Sequence, residues 1–139
     1  MGRILAVDPG SRRVGVAVSD PTGTIAQPLT VLSAHPTDTL IERLTTLTRE
    51  HEATALVVGL PRRLDGRLGP EAEAALSLAD QLRAATGLEV TMVDERLTSV
   101  AAERALLSSG ASRARRRRLS DQVAAALILQ TFLDSARPG

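Results

Sequence analysis

Apolar residues follow a two-residue period in the first third of the chain and a period near 3.6 through most of the rest. Residues 3–8 form a short apolar run that ends in Asp8, as suits a central strand. Pro9, Gly10 and Ser11 make a turn. Residues 13–19 then alternate, with Val14, Val16 and Val18 on one face and the small Gly15, Ala17 and Ser19 on the other. A second turn at 20–23 leads to a third strand over 24–32. Short turns between three successive strands predict an antiparallel meander.

The grammar changes after residue 36. Leu40, Leu44 and Leu47 lie at helical spacing within 37–51, and Thr39 with Glu42 has the spacing of a capping box. Residues 54–59 are nearly all apolar, which predicts a parallel strand covered on both faces. A helix begins at Gly69-Pro70 and stops at Gly87. A fifth strand covers 88–93, and helices follow at about 99–109 and 120–135. Strand–helix–strand crossovers place parallel strands side by side. The expected architecture is a single α/β domain over 1–139, with a mixed five-stranded sheet and helices on both faces.

Composition narrows the function. The chain has no Cys, which excludes disulfides, thiolate metal sites and Cys nucleophiles. No apolar run approaches the roughly 20 residues of a membrane span, and the N-terminus carries no cleavage-site pattern. A cytoplasmic protein is expected. Net charge is only +1, but all seventeen basic residues are Arg. Phe132 is the single aromatic residue, so a base-stacking platform is excluded. His35 and His51 flank a helix and read as structural, leaving no Ser-His-Asp arrangement to argue.

The carboxylates carry the candidate chemistry. Asp8 ends the first strand, Asp94 and Glu95 end the fifth, and Asp121 opens the last helix after Ser120. Ligand sites in open sheets form at such strand ends. Three oxygen ligands on separate elements would suit Mg2+ or Mn2+. Each acid also has a plainer use. Asp8 could initiate the Pro-Gly turn, Asp121 could complement a helix dipole with Ser120 as cap, and Glu95 could pair with an Arg. Spacing alone does not separate Asp94 from Glu95, although consecutive strand residues face opposite ways and only one should enter a site.

Four segments resemble the YqgF/RuvX family. They are Asp8-Pro9-Gly10-Ser11-Arg12-Arg13-Val14-Gly15-Val16-Ala17-Val18-Ser19-Asp20; Val57-Val58-Gly59-Leu60-Pro61 with Asp65-Gly66; Asp94-Glu95-Arg96-Leu97-Thr98-Ser99; and Asp121 with Ala124-Ala125-Ala126 and Leu127-Ile128-Leu129-Gln130. Ser99 departs from the pattern, where Thr is more usual. The segments span nearly the whole chain in order and at matching spacing. The resemblance implies a ribonuclease H-like nuclease related to the RuvC Holliday-junction resolvases. It also implies Asp8, Glu95 and Asp121 as the catalytic and metal-binding acids, selecting Glu95 over Asp94. The implied substrates are the 5′ end of pre-16S ribosomal RNA or branched DNA.

Nucleic acid would then be the partner, met through arginines. Arg113 and Arg115, Arg116, Arg117 and Arg118 put five charges in six residues, expected as a loop over 110–118 just before Asp121. Such a cluster can hold phosphates and release counterions. Arg62, Arg63 and Arg67 form a second patch, and Arg12, Arg13 and Arg96 are further candidates. Contacts of this kind read backbone shape rather than base sequence. The alternatives are a non-catalytic nucleic-acid-binding ribosome assembly factor and a phosphotransferase of the sugar-kinase and actin-like kind. The latter shares the strand-Asp-x-Gly-Ser opening, but the sequence has no second Asp-x-Gly-Ser/Thr motif. A cutter of two symmetric strands would favour a homodimer, whereas RNA trimming suits a monomer.

Overall fold

The computed structural model describes residues 2–62, 65–98 and 113–136. Five strands, β1 (Arg3–Asp8), β2 (Arg13–Ser19), β3 (Ala26–Ser33), β4 (Ala53–Leu60) and β5 (Val90–Asp94), form one sheet in the order β3-β2-β1-β4-β5. β1 and β2 pair antiparallel, as do β2 and β3, whereas β1–β4 and β4–β5 are parallel. This is the mixed sheet that the pattern predicts. The helices are α1 (Thr37–Glu50), α2 (Pro70–Thr86) and α3 (Arg113–Ala136).

The two faces of the sheet differ in side-chain size. Leu5 and Val7 of β1, Val14, Val16 and Val18 of β2, and Leu56 and Val58 of β4 pack under α1 and α2 with Leu40, Leu44, Leu78 and Leu82. The opposite face presents Ile4, Ala6, Ala17, Val57 and Val93 to Ala124, Ala125, Ile128, Leu129 and Leu133 of α3. The small residues expected on one side of β2 therefore receive a helix at close range. Ala124, Ala125, Ile128, Leu129 and Leu133 fall at helical spacing and form the buried stripe of α3. Gln130 anchors the same helix to the sheet edge. Its Oε1 accepts from the Ala26 amide at 2.9 Å and its Nε2 donates to the Thr24 carbonyl at 3.0 Å.

Several expected boundaries change. β3 begins at Ala26 rather than residue 24, because the Asp20 carboxylate takes the Thr24 and Ile25 amides at 2.8 and 2.7 Å. Those bonds, led by the one from Ile25 and joined by the Thr22 hydroxyl, hold the Asp20 carboxyl well below its usual range. The Thr39–Glu42 capping box is absent: α1 starts after Pro36 without a side-chain cap, and Asp38 accepts the Thr39 amide. α2 runs from Pro70 to a left-handed Gly87, as the sequence indicates. The expected loop over 110–118 and helix start at 120 are corrected by α3, which begins at Arg113. Arg is a good helix former, and no Gly or Pro interrupts 113–136. The helix expected at 99–109 lies outside the described residues.

Ile128 is fully buried at the centre of the α3 interface. Ile128→Ala should lower unfolding free energy by about 2–5 kcal/mol. Urea denaturation would show this as an earlier midpoint with an unchanged slope.

Candidate functional site

The acids meet where β1, β4 and β5 end. Asp8 shares the face of Ile4 and Ala6 by strand alternation, so its side chain lies on the α3 side. It is 3% exposed, deep for a carboxylate. Asp8 pairs with Gly15 of β2. Val7 pairs with Val58, and one further step of that register sets Asp8 beside Gly59. Two residues without side chains thus flank the carboxylate on the helix side.

Other groups fill the space that these glycines leave. A Cβ on Gly15 would lie 2.1 Å from the Asp121 carbonyl oxygen and 3.5 Å from the Ala125 Cβ. A Cβ on Gly59 would lie 2.7 Å from the Ile128 Cδ1, and 3.5 and 3.6 Å from Cγ and Cδ of Glu95. Gly in a strand interior marks such close approaches. The backbone of α3 is therefore pressed onto β2 at Asp121, and the Glu95 side chain lies over β4. Asp8 sits between them. Sequence reasoning named the three acids but not the two glycines; the signal was Gly within otherwise apolar strands.

Asp121 does not open α3. It lies on the helix more than two turns in, one turn before the buried Ala124–Ala125 pair, and extends their stripe toward the site. The proposed Ser120 cap is thereby corrected. Arg13 Nε donates to Asp121 Oδ2 at 3.0 Å, joining the start of β2 to α3. An open cleft of about 420 Å³ lies beside this pair, lined by Gly10, Ser11, Arg12, Arg13 and Asp121. His35 Nε2 hydrogen-bonds the Ser11 carbonyl at 2.9 Å and steadies the same turn, a structural use.

Asp94 and Glu95 part at the end of β5. Asp94 is its last residue, and Glu95 begins a 3-10 turn through Leu97 rather than ending the strand. The Glu95 carbonyl accepts from the Thr98 hydroxyl at 2.8 Å. Asp94 turns to arginines instead. Arg96 Nη2 donates to it at 2.9 Å, and Arg62 Nε stands 3.4 Å away. The Arg96 side-chain bonds, with its backbone amide and the charge of Arg62, hold the Asp94 carboxyl below its ordinary value.

The structure brings Asp8, Glu95 and Asp121 to one edge without drawing them into a closed cage. Among the described residues, no group of three or more acidic or imidazole side chains is close enough to hold an ion. Like charges keep apart, and Asp121 meets a guanidinium. The donor chemistry still fits a hard divalent cation: three carboxylates stand on separate elements, close to the two glycines that flank Asp8. Of the arginine candidates, Arg12 and Arg13 line the cleft, and Arg62 and Arg96 surround Asp94. Arg67 pairs with the exposed Asp65. Arg63 lies outside the described residues. Positions 113 and 115–118 lie on the first turns of α3, N-terminal to Asp121. Among the described residues, no helix is long and apolar enough to cross a membrane.

Residues 2–135 match a family model described as RuvX, Holliday junction resolvase. A protein of Roseiflexus sp. (strain RS-1) is 48% identical over 136 residues, covering 98% of this chain and 96% of its own length. One from Chloroflexus aurantiacus is 47% identical over 134 residues, covering 96% and 88%. Both are named "Putative pre-16S rRNA nuclease". Among solved structures, Thermus thermophilus RuvC in complex with a Holliday junction substrate superposes with a TM-score of 0.62 at 15% identity, covering 97% of this chain and 96% of its own. The fowlpox virus Holliday junction resolvase gives 0.55 at 14%, covering 96% and 99%. These structural likenesses establish the ribonuclease H-like fold.

The two glycines should respond differently to a methyl group. Gly15→Ala meets a backbone carbonyl that cannot turn away, and overpacking of this kind costs about 1–3 kcal/mol. Gly59→Ala meets the free end of Ile128, which can rotate, and should cost less. Equal losses in paired denaturation curves would contradict the pressed-helix geometry.

Proposed function

This chain belongs to the RuvX family, a family of nucleases, and from that premise we propose that it hydrolyses phosphodiester bonds in pre-16S ribosomal RNA with a divalent cation. The substrate is taken from the names of its relatives. The observation that supports the reading is the approach of Glu95 and Asp121 to the glycines on either side of the buried Asp8. Three carboxylates on neighbouring elements are the ligand type that a cation-dependent phosphodiesterase uses.

Asp8, Glu95 and Asp121 would hold Mg2+ or Mn2+. A cation there would polarise the phosphate and lower the pKa of an attacking water. The remaining work belongs to the chain. Asp8 is fixed at the end of a central strand, with little freedom to move. Arg13 holds Asp121 at the mouth of the cleft. Arg12, with Arg13, presents positive charge along that cleft, where substrate phosphates would lie. The arginines of the first turns of α3, at 113 and 115–118, would contact phosphates farther along the strand. We take residues 1–139 as one nuclease domain, working in the cytoplasm where ribosomal RNA matures.

The family description favours a second reading, in which branched DNA is the substrate. Cleavage of a pre-16S RNA segment and of a four-way DNA junction, assayed side by side, decides between them. RNA cleavage dependent on Mg2+ or Mn2+ is expected. It should fall at least 100-fold in Asp8→Asn, Glu95→Gln and Asp121→Asn, with unchanged circular dichroism. Full activity in EDTA, or in Asp8→Asn, would refute the reading.

A further inference from the structure

We propose that Asp94 is a positioning residue, which spreads Arg62 and Arg96 into a two-pronged cradle for a backbone phosphate of the substrate. The proposal rests on the nuclease reading and adds a role for the acid that stands next to Glu95.

One carboxylate organises two guanidiniums from separate segments. Arg96 Nε donates to Oδ1 and Oδ2 of Asp94 at 3.2 Å each, and its Nη2 to Oδ2 at 2.9 Å. The Arg96 amide donates to Oδ1 at 2.9 Å, which locks the start of the turn as well. Arg62, just beyond β4, stands with its Nε 3.4 Å from the same Oδ2. Both oxygens of Asp94 are thus occupied by arginine donors, which leaves it poorly suited to bind a cation. The side chain of its backbone neighbour Glu95 lies against Gly59 instead.

The arrangement leaves donors for a ligand. A guanidinium carries five N–H groups. Arg62 Nε is ion-paired with Asp94 at 3.4 Å, and its Nη1 reaches the Gly66 carbonyl at 3.5 Å. Arg96 spends Nε and Nη2. Among the described residues, Nη2 of Arg62 and Nη1 of Arg96 make no hydrogen bond. The two side chains are 34% and 39% exposed, open enough to meet a phosphate. Asp65 also acts on Arg96 and is itself paired with Arg67, so three positive charges meet two negative ones and the group stays cationic. Gly66, with a φ of +86°, closes the far side, where a Cβ would lie 3.2 Å from Arg96 Nη1. Guanidinium forks match phosphate geometry, and pre-alignment lowers the ordering cost of binding. Without Asp94, the two like-charged forks would separate.

Anisotropy of a fluorescein-labelled pre-16S RNA segment and a labelled four-way DNA junction, both in EDTA, tests this as a double-mutant cycle. Asp94→Ala should weaken binding about tenfold and flatten the salt dependence by about one unit of log K per log salt, because held phosphate contacts are lost. Arg62→Ala/Arg96→Ala should weaken it at least as much. Adding Asp94→Ala to that pair should change affinity by less than twofold, since the acid acts through the arginines. Mn2+ affinity should be unchanged in Asp94→Ala and reduced in Asp121→Asn. Asp94→Asn keeps an acceptor and should fall between wild type and Ala, so it carries the test if the Ala variant does not fold. Unchanged binding in Asp94→Ala, additive losses in the triple variant, or lost Mn2+ binding would overturn the cradle while leaving the nuclease standing. Failure of the wild-type protein to bind either probe would remove both.

Discussion

A carbonyl oxygen of α3 occupies the place where a side chain on Gly15 would begin. That steric fit sets the position of the last helix, and with it the position of Asp121. The same logic repeats on the far side of Asp8, where Gly59 admits Ile128 and the Glu95 side chain. Larger residues at either position would lift α3 or Glu95 from the sheet and leave Asp8 alone at the strand end. The hydrophobic stripe Ala124–Leu133 supplies the force that holds α3 down. The glycines determine how close it can come.

Electrostatics then organises what sterics bring together. Carboxylates collected at one edge repel each other, and the chain answers with arginines. Arg13 takes Asp121, and Arg62 and Arg96 take Asp94. Asp8 lies buried between Gly15 and Gly59, and the Glu95 side chain lies against Gly59. A planar fork can hold a carboxylate with one edge and a phosphate with the other, which a Lys ammonium does less specifically. The counter-ions that Asp121 and Asp94 meet at this edge are all arginines.

Much of this is legible in the amino-acid sequence. Strands 3–8 and 13–19 are read correctly because their alternation is clean and their turns carry Pro, Gly and Asp. The small-residue face of β2 was visible, though its meaning required a partner helix. The start of β3 was missed because Asp20 side-chain bonds and Gln130, more than a hundred residues away, set it. The start of α3 was missed for a different reason. A run of arginines has no hydrophobic period, so helix propensity alone had to decide, and periodicity gave no sign of it. That error also misplaced Asp121 at a helix end. Position at strand and helix ends points to Asp8, the Asp94–Glu95 pair and Asp121, and only the family resemblance selects Glu95 over Asp94. In the structure Asp94 meets Arg62 and Arg96, whereas the Glu95 side chain lies against Gly59.

The convergence of three acids on one cation is the central claim, and a crystal soaked in Mn2+ addresses it directly through anomalous scattering. The account predicts a peak at the end of β1 with oxygens of Asp8, Glu95 and Asp121 within about 2.0–2.4 Å, and Arg13 displaced from Asp121. A Mn2+ peak held by Asp94, or by none of the three, would contradict it.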